Sequence, residues 1–223
     1  MKRVLVIAPH PDDEVLGCGG LMARCVSEGN EVFVCVASNH DAPIYTPQHK
    51  ETTKREAREA HAVLGVRETV FLDYAAVTLN RVAVHEFNGA MNRVVRDISP
   101  DTVLIPHAGD IHIDHQIVAK AALVAMRPLA DCGVQTILAY ETLSETEWNA
   151  PRAEYAFMPN YFVDISGYLE RKLEAMGCFV SQLHPPPHPR SLRSLETLAR
   201  MRGSAISADA AEAFTHIRTV WRA

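Results

Sequence analysis

The sequence predicts an α/β fold of three layers, a mainly parallel sheet covered by helices on both faces, with a small C-terminal appendage. Two observations carry that expectation. From residue 3 to 141, short apolar runs of strand length alternate with longer segments of helical periodicity. The short runs are continuously apolar, as in strands buried on both faces of a parallel sheet. A chain of 223 residues is long enough for one domain with a substantial core. A single domain over 1–223 is therefore expected, with its core in 1–141 and the appendage in 142–223.

The elements follow in order. Arg3-Val-Leu-Val-Ile-Ala8 reads as a buried strand, and a helix follows from about Glu14 to Glu28, closed by Gly29-Asn30. Glu31–Ala37 is a second strand, and Ser38–Gln48 a polar loop whose His40-Asp41 pair sits near a strand end. A helix over 50–64 precedes a strand over 69–73. Residues 82–97 carry Val82, Val84, Phe87, Met91, Val94 and Val95 at amphipathic helical spacing. A strand over 102–106, a helix over 115–127 and a strand over 135–141 complete the alternation.

Beyond Glu141 the texture changes. Residues 142–159 are polar, Tyr161–Ile165 resembles a strand, and Gly167–Gly177 a helix. His184-Pro-Pro-Pro-His188-Pro189-Arg190 is expected to be an extended, polyproline-like loop suited to a lid or a subunit contact. A helix over 191–202 leads to Ala211-Glu-Ala-Phe214.

The most informative stretch ends the first strand: Pro9-His10-Pro11-Asp12-Asp13-Glu14. One histidine and three acids crowd into a strand-to-helix turn, where open α/β sheets place their ligands. Helix capping accounts for one aspartate, with Glu14 easing the first-turn dipole. It does not account for His10, a second aspartate and two stiffening prolines. A second constellation follows the strand over 102–106: His107-Ala-Gly-Asp110-Ile-His112-Ile-Asp114-His115. Imidazole and carboxylate ligands suit zinc, whose catalytic sites commonly combine three protein ligands with one open position. One turn offers a His and an Asp, and the other the third ligand.

Together these motifs resemble the PIG-L/LmbE-like family of zinc-dependent N-deacetylases. The likeness rests on Ala8-Pro-His-Pro-Asp-Asp-Glu14 and on Asp110-x-His112-x-Asp114-His115. It extends to Glu56-Ala57-x-x-Ala60-x-x-x-Leu64-Gly65-Val66 and Ala211-Glu-Ala-Phe214. It implies a Rossmann-like three-layer fold and one Zn2+ per chain, with Fe2+ or another divalent ion an alternative the same ligands would hold. It implies His10, Asp13 and His115 as metal ligands and Asp12 as the general base. By the same resemblance His112 assists the tetrahedral intermediate and the leaving amine, Asp114 orients His112, and Glu14 supports the shell around the metal. The implied activity removes the N-acetyl group from an N-acetylated amino sugar or glycoside of N-acetylglucosamine type, releasing acetate and an amine.

The chain departs from the family where an arginine would stand three residues before Glu56; Thr53 occupies that position. Lys54, Arg55 or Arg58 could substitute from a shifted register, Arg55 being the residue assigned to substrate binding, and Asp110 is either a rim contact to a substrate hydroxyl or a simple turn residue. Alternatives of other classes are a metal-dependent amidase on another acyl-amine or thiol-glycoside conjugate, a phosphoesterase, and a non-catalytic sugar- or nucleotide-binding module. The partner expected is a small N-acetylated sugar or glycoside, and a homo-oligomer is compatible with the appendage. A net charge of −5 with mixed signs and no basic tract argues against nucleic acid. No apolar run reaches transmembrane length, and the short N-terminal run reads as strand rather than signal peptide, so a cytoplasmic protein is expected. Five cysteines without CxxC spacing argue against a disulfide framework.

Overall fold

The computed structural model describes residues 1–41, 44–129 and 132–221. Strand β1 (Arg3–Ala8) lies between β2 (Glu31–Asn39) and β4 (Thr102–Pro106), parallel to both. Beyond them β3 (Glu68–Ala75) and β5 (Thr136–Tyr140) continue the parallel sheet. The C-terminal third then adds two antiparallel strands, β7 (Ala211–Thr219) against β5 and β6 (Tyr161–Asp164) at the edge. The order is β3-β2-β1-β4-β5-β7-β6. Ala211–Phe214, placed only loosely in the appendage by sequence, thus opens a strand of the main sheet.

Strand periodicity divides the core. Val4 and Val6 point into one cluster with α1 (Asp13–Ser27), α2 (Pro47–Leu64), α5 (Leu169–Gly177) and α6 (Leu192–Ser204). Leu5 and Ile7 point into the other, with α3 (Val84–Ile98) and α4 (Ile113–Ala125). Both faces are covered, so the strands read as unbroken apolar runs. Cys18, Cys25 and Cys35 are buried thiols that pack as small apolar side chains.

Helix starts moved where side chains cap them. The α2 helix begins at Pro47 rather than 50, because the Thr46 hydroxyl accepts the His49 N–H and proline needs no partner at the first position. The α4 helix begins at Ile113 rather than 115, because the His112 ring caps it. The proline-rich loop is not extended. His184 N–H donates to the Arg190 carbonyl at 3.0 Å and His188 N–H to the Pro185 carbonyl at 3.2 Å, closing it into a compact turn.

Two close approaches hold α1 in place. Gly17 lets the ring of Tyr140 lie against the helix, since a Cβ there would collide with it, and the Tyr140 hydroxyl donates to the Ile7 carbonyl at 2.9 Å. On the same helix a buried ion pair intervenes. Glu212 accepts the N–H groups of Gly20 and Leu21 at 2.8 and 2.7 Å, while Lys172 donates to the Leu16 carbonyl at 2.8 Å and to Glu212 at 2.5 Å. The sheet order reverses between β1 and β4, which opens a crevice at their carboxyl ends. Both sequence motifs lie there.

Candidate active site

The turn after β1 is built around an unusual backbone. Asp12 has φ 113°, and its side chain makes no capping bond to α1. A non-glycine residue at positive φ is costly and needs support from its surroundings. Glu14 provides it, accepting the Asp12 N–H at 3.2 Å with Oε2. Glu14 Oε1 in turn meets His61 Nε2 at 2.9 Å, and His61 Nδ1 meets Thr69 Oγ1 at 2.8 Å. Glu14 therefore props the turn. Sequence reasoning missed His61, whose place on the buried face of α2 marks it only as a core residue.

The structure brings His10, Asp13 and His115 together, with ligating atoms within 4.8 Å of one another and all three side chains buried. Hydrogen bonds decide which ring nitrogens face inward. His115 Nδ1 lies 2.8 Å from Asp110 Oδ2 and donates to it, so in the neutral ring, the form that binds a cation, Nε2 carries the lone pair. That Nε2 is buried without a hydrogen-bond partner, 3.2 Å from Asp13 Oδ2, and Asp13 Oδ1 is likewise unpartnered. His10 Nε2 lies 3.2 Å from Asp114 Oδ2, which turns Nδ1 toward Asp13 at 3.3 Å. Two imidazole lone pairs and a carboxylate thus converge, with orphaned atoms that a cation would satisfy.

A second group, His10 with His112 and Asp114, has comparable spacing. Its chemistry is different. His112 Nδ1 accepts the Asp114 N–H at 3.1 Å, so the neutral ring carries its proton on Nε2 and presents a donor rather than a ligand.

Two expected roles change. Asp110 is not on the rim: it is fully buried, binding His115 through Oδ2 and accepting from the Thr146 hydroxyl at 2.6 Å through Oδ1. The carboxylate of Asp114 orients His10, not His112, and is itself fixed by the N–H groups of Val77 at 2.6 Å and Leu79 at 3.3 Å. Arg55 lies apart from this cluster. It points to solvent on α2, 3.7 Å from Glu59, because the buried face of that turn is taken by Thr53, whose hydroxyl donates to Asn39 Oδ1 at 2.8 Å. Of the expected loop pair, His40 stacks edge-on with Tyr45, and Asp41 pairs with Lys50 at 2.5 Å.

The cation near Asp12 comes instead from the far end of the chain. Arg190 Nη1 lies 3.4 Å from Asp12 Oδ2, Nη2 3.2 Å from Glu145 Oε1, and Nε donates to the Ser144 hydroxyl at 2.7 Å. These residues carried no sequence signal beyond a polar segment and a proline-rich loop. Burial raises the Asp12 carboxyl to about 8 against the pull of Arg190. Burial opposes charge on His115 too, but Asp13 and Asp110 overcome it and hold the ring up at about 10. The same site lowers His112 to about 4, through burial and the neighbouring His10 and His115 rings. Positive charge is favoured between His10, Asp13 and His115, and disfavoured at His112.

Comparison with known proteins gives this arrangement a relationship. A family model described as PIG-L, GlcNAc-PI de-N-acetylase, matches residues 5–126. The chain belongs to the PIG-L family. An uncharacterized deacetylase, YaiS of Escherichia coli strain K12, is 30% identical over 78% of this chain and 89% of its own length. The diacetylchitobiose deacetylase of Thermococcus kodakarensis is 26% identical over 82% of this chain and 70% of its own. The crystal structure of GalB, a 4-carboxy-2-hydroxymuconate hydratase from Pseudomonas putida KT2440, superposes with a TM-score of 0.80. It covers 100% of this chain and 99% of its own at 18% identity, a likeness of fold alone. No helix among the described residues of this PIG-L chain is long and apolar enough to cross a membrane.

Proposed function

We propose that this chain is a metal-dependent N-deacetylase that hydrolyses the acetamide of an N-acetylated amino sugar or glycoside, releasing acetate and a free amine. The observation that carries the reading is the buried His10–Asp13–His115 group, with His115 Nε2 and Asp13 Oδ1 unpartnered and Asp12 and His112 beside it. The names of the relatives, a diacetylchitobiose deacetylase among them, favour amide over phosphoester hydrolysis.

One divalent ion, zinc by ligand preference, would be held by His10 Nδ1, Asp13 and His115 Nε2; it would polarise the acetyl carbonyl and make water a nucleophile near neutral pH. The chain's own residues do the rest. Asp12, in the carboxylate form that Arg190 and a cation bound beside it would favour against burial, takes the proton of the attacking water through a carboxylate oxygen and delivers it to the departing nitrogen. Arg190 keeps that carboxylate oriented. The Nε2–H of His112 donates to the oxygen on which negative charge builds, a preorganised donor fixed by the backbone bond at Nδ1. Asp110 and Asp114 hold the two ligand rings, so the donors need no rearrangement.

The test is acetate release by zinc-loaded protein from N-acetylglucosamine, its glycosides and glycolipid head groups, with metal content measured alongside. Release should vanish in Asp12→Asn while one zinc per chain is retained. Full activity in that variant, or a wild type that binds no metal, would sink the mechanism.

A further inference from the structure

The loop between β4 and α4 that carries Asp110 is fastened to the segment that follows β5. The Ile111 N–H donates to the Glu145 carbonyl at 3.1 Å, and the Asn149 side-chain amide donates to the Gly109 carbonyl at 2.6 Å. His107 Nε2 donates to the Tyr155 carbonyl at 3.0 Å. Gly109 passes so near Tyr155 that a Cβ on it would fall 2.6 Å from the same carbonyl oxygen. Along this seam one side chain of the later segment reaches a charged group of the centre. The Thr146 hydroxyl donates to Asp110 Oδ1 at 2.6 Å, while Asp110 Oδ2 holds His115 Nδ1 at 2.8 Å.

A hydroxyl can donate or accept, but here its direction is set. The Thr142 N–H donates to Thr146 Oγ1 at 2.9 Å, and the Thr146 N–H returns to the Thr142 carbonyl at 2.9 Å. The oxygen is thus anchored on a closed turn, and its single proton is left for the carboxylate. The line of bonds runs one way, from the Thr142 N–H through the Thr146 hydroxyl to Asp110, which the His115 ring meets from the other side. Asp110 and His115 are both buried, so no solvent stands ready to replace a lost donor. A carboxylate held at only one oxygen can turn about its Cβ–Cγ bond, a broad torsion; held at both, it cannot turn without breaking a bond. We propose that Thr146 is a positioning residue for the metal ligands: through Asp110 its hydroxyl fixes the aim of His115 Nε2 and so raises the affinity of the centre for a divalent cation. The proposal rests on the reading of His10, Asp13 and His115 as a cation site, and is independent of which acyl-amine is hydrolysed.

The test is zinc affinity, read by competition with a chelating indicator, in wild type, Thr146→Val and Thr146→Ser. Valine keeps the shape and loses the donor, so the affinity should fall about 10-fold, the lower end of what loss of a partner supporting a metal ligand costs. Serine keeps the hydroxyl and should bind zinc as wild type does. In an Asp110→Ala background the Thr146→Val change should cost nothing further, since the group it acts through is gone. Urea midpoints of the metal-free proteins are measured alongside. Wild-type zinc affinity in Thr146→Val overturns the proposal, and a lowered midpoint in that case leaves Thr146 a structural residue. Serine as weak as valine, or an equal loss of affinity with and without Asp110, overturns it as well. A wild type that binds no zinc overturns both the proposal and the cation reading. Zinc binding that responds to Thr146 in a protein that releases no acetate supports the positioning role and overturns the deacetylase reading alone.

Discussion

Asp110 and Asp114 sit four residues apart, yet each serves a different histidine from a different turn, and each makes that histidine the right tautomer to bind a cation. Their removal should therefore be felt at the metal before it is felt at the substrate. Asp110→Asn is expected to weaken zinc binding about 10- to 100-fold, as loss of a supporting carboxylate commonly does. Competition with a chelating indicator measures it; an unaltered zinc affinity would mean that His115 keeps its orientation without Asp110. Arg190→Met should behave in the opposite manner. It removes charged hydrogen bonds to Asp12 and Glu145, so kcat should fall about 10- to 100-fold, while zinc affinity stays at the wild-type value. Steady-state kinetics with a parallel zinc titration separates the two effects. These residues also show the limit of sequence reading. His10, Asp13 and His115 were legible because each lies in a dense local motif. Arg190 was not, because it reaches Asp12 across 178 positions through a turn whose closure depends on hydrogen bonds that composition does not reveal.

The element that most needs support is α1, since its first turn carries Asp13 while its middle is glycine-rich and weak as a helix. The Lys172–Glu212 pair meets that need from outside, bonding Leu16, Gly20 and Leu21 of the helix backbone. Lys172→Met strands a buried carboxylate and should destabilise the fold by about 3–5 kcal/mol. Adding Glu212→Gln removes the charge while keeping an oxygen for the helix N–H groups, and should restore most of the loss. Urea midpoints of the two variants check this; a double variant no better than the single would show that the ion pair itself, and not the stranded charge, sets the cost. The elements themselves were readable from apolar runs, and their ends were not. The α2 and α4 starts moved because Thr46 and His112 cap them, and a histidine cap has no distinctive sequence signature.

Across the whole sheet, the edge opposite the candidate site is stitched by one residue. Asp101 accepts the N–H groups of Lys2 and Arg3 at 2.7 and 3.0 Å and the Thr102 hydroxyl at 2.7 Å. Burial works against its charge, but these donors win and hold the carboxyl below its ordinary value. A carboxyl lowered on folding contributes stability above its unfolded pKa, and loses it as pH falls through the folded value. Thermal melts between about pH 5 and 2 should thus show a shallower acid loss for Asp101→Asn than for wild type, with a lower melting point at neutral pH. Identical slopes would show that other carboxyls carry the acid limb. The parallel core was legible at this scale because both faces of the sheet are covered and its strands are uniformly apolar. The return of β7 into that sheet was not, since Ala211–Thr219 is half exposed and polar toward its end.

The same layout divides the chain in sequence as well as in space. Every residue placed around the candidate cation lies before residue 116, within the 5–126 span matched by the family. Arg190, which meets Asp12, and Thr146, Lys172 and Glu212, which hold Asp110 and α1 in place, all lie after residue 140. The C-terminal third is therefore not a detachable accessory to the centre: exchanging it without these four residues would loosen Asp12, Asp110 and the first turn of α1 together. Chimeras joined within the strand at 136–140 would stay matched only where the incoming segment brings its own counterparts of Thr146, Lys172, Arg190 and Glu212.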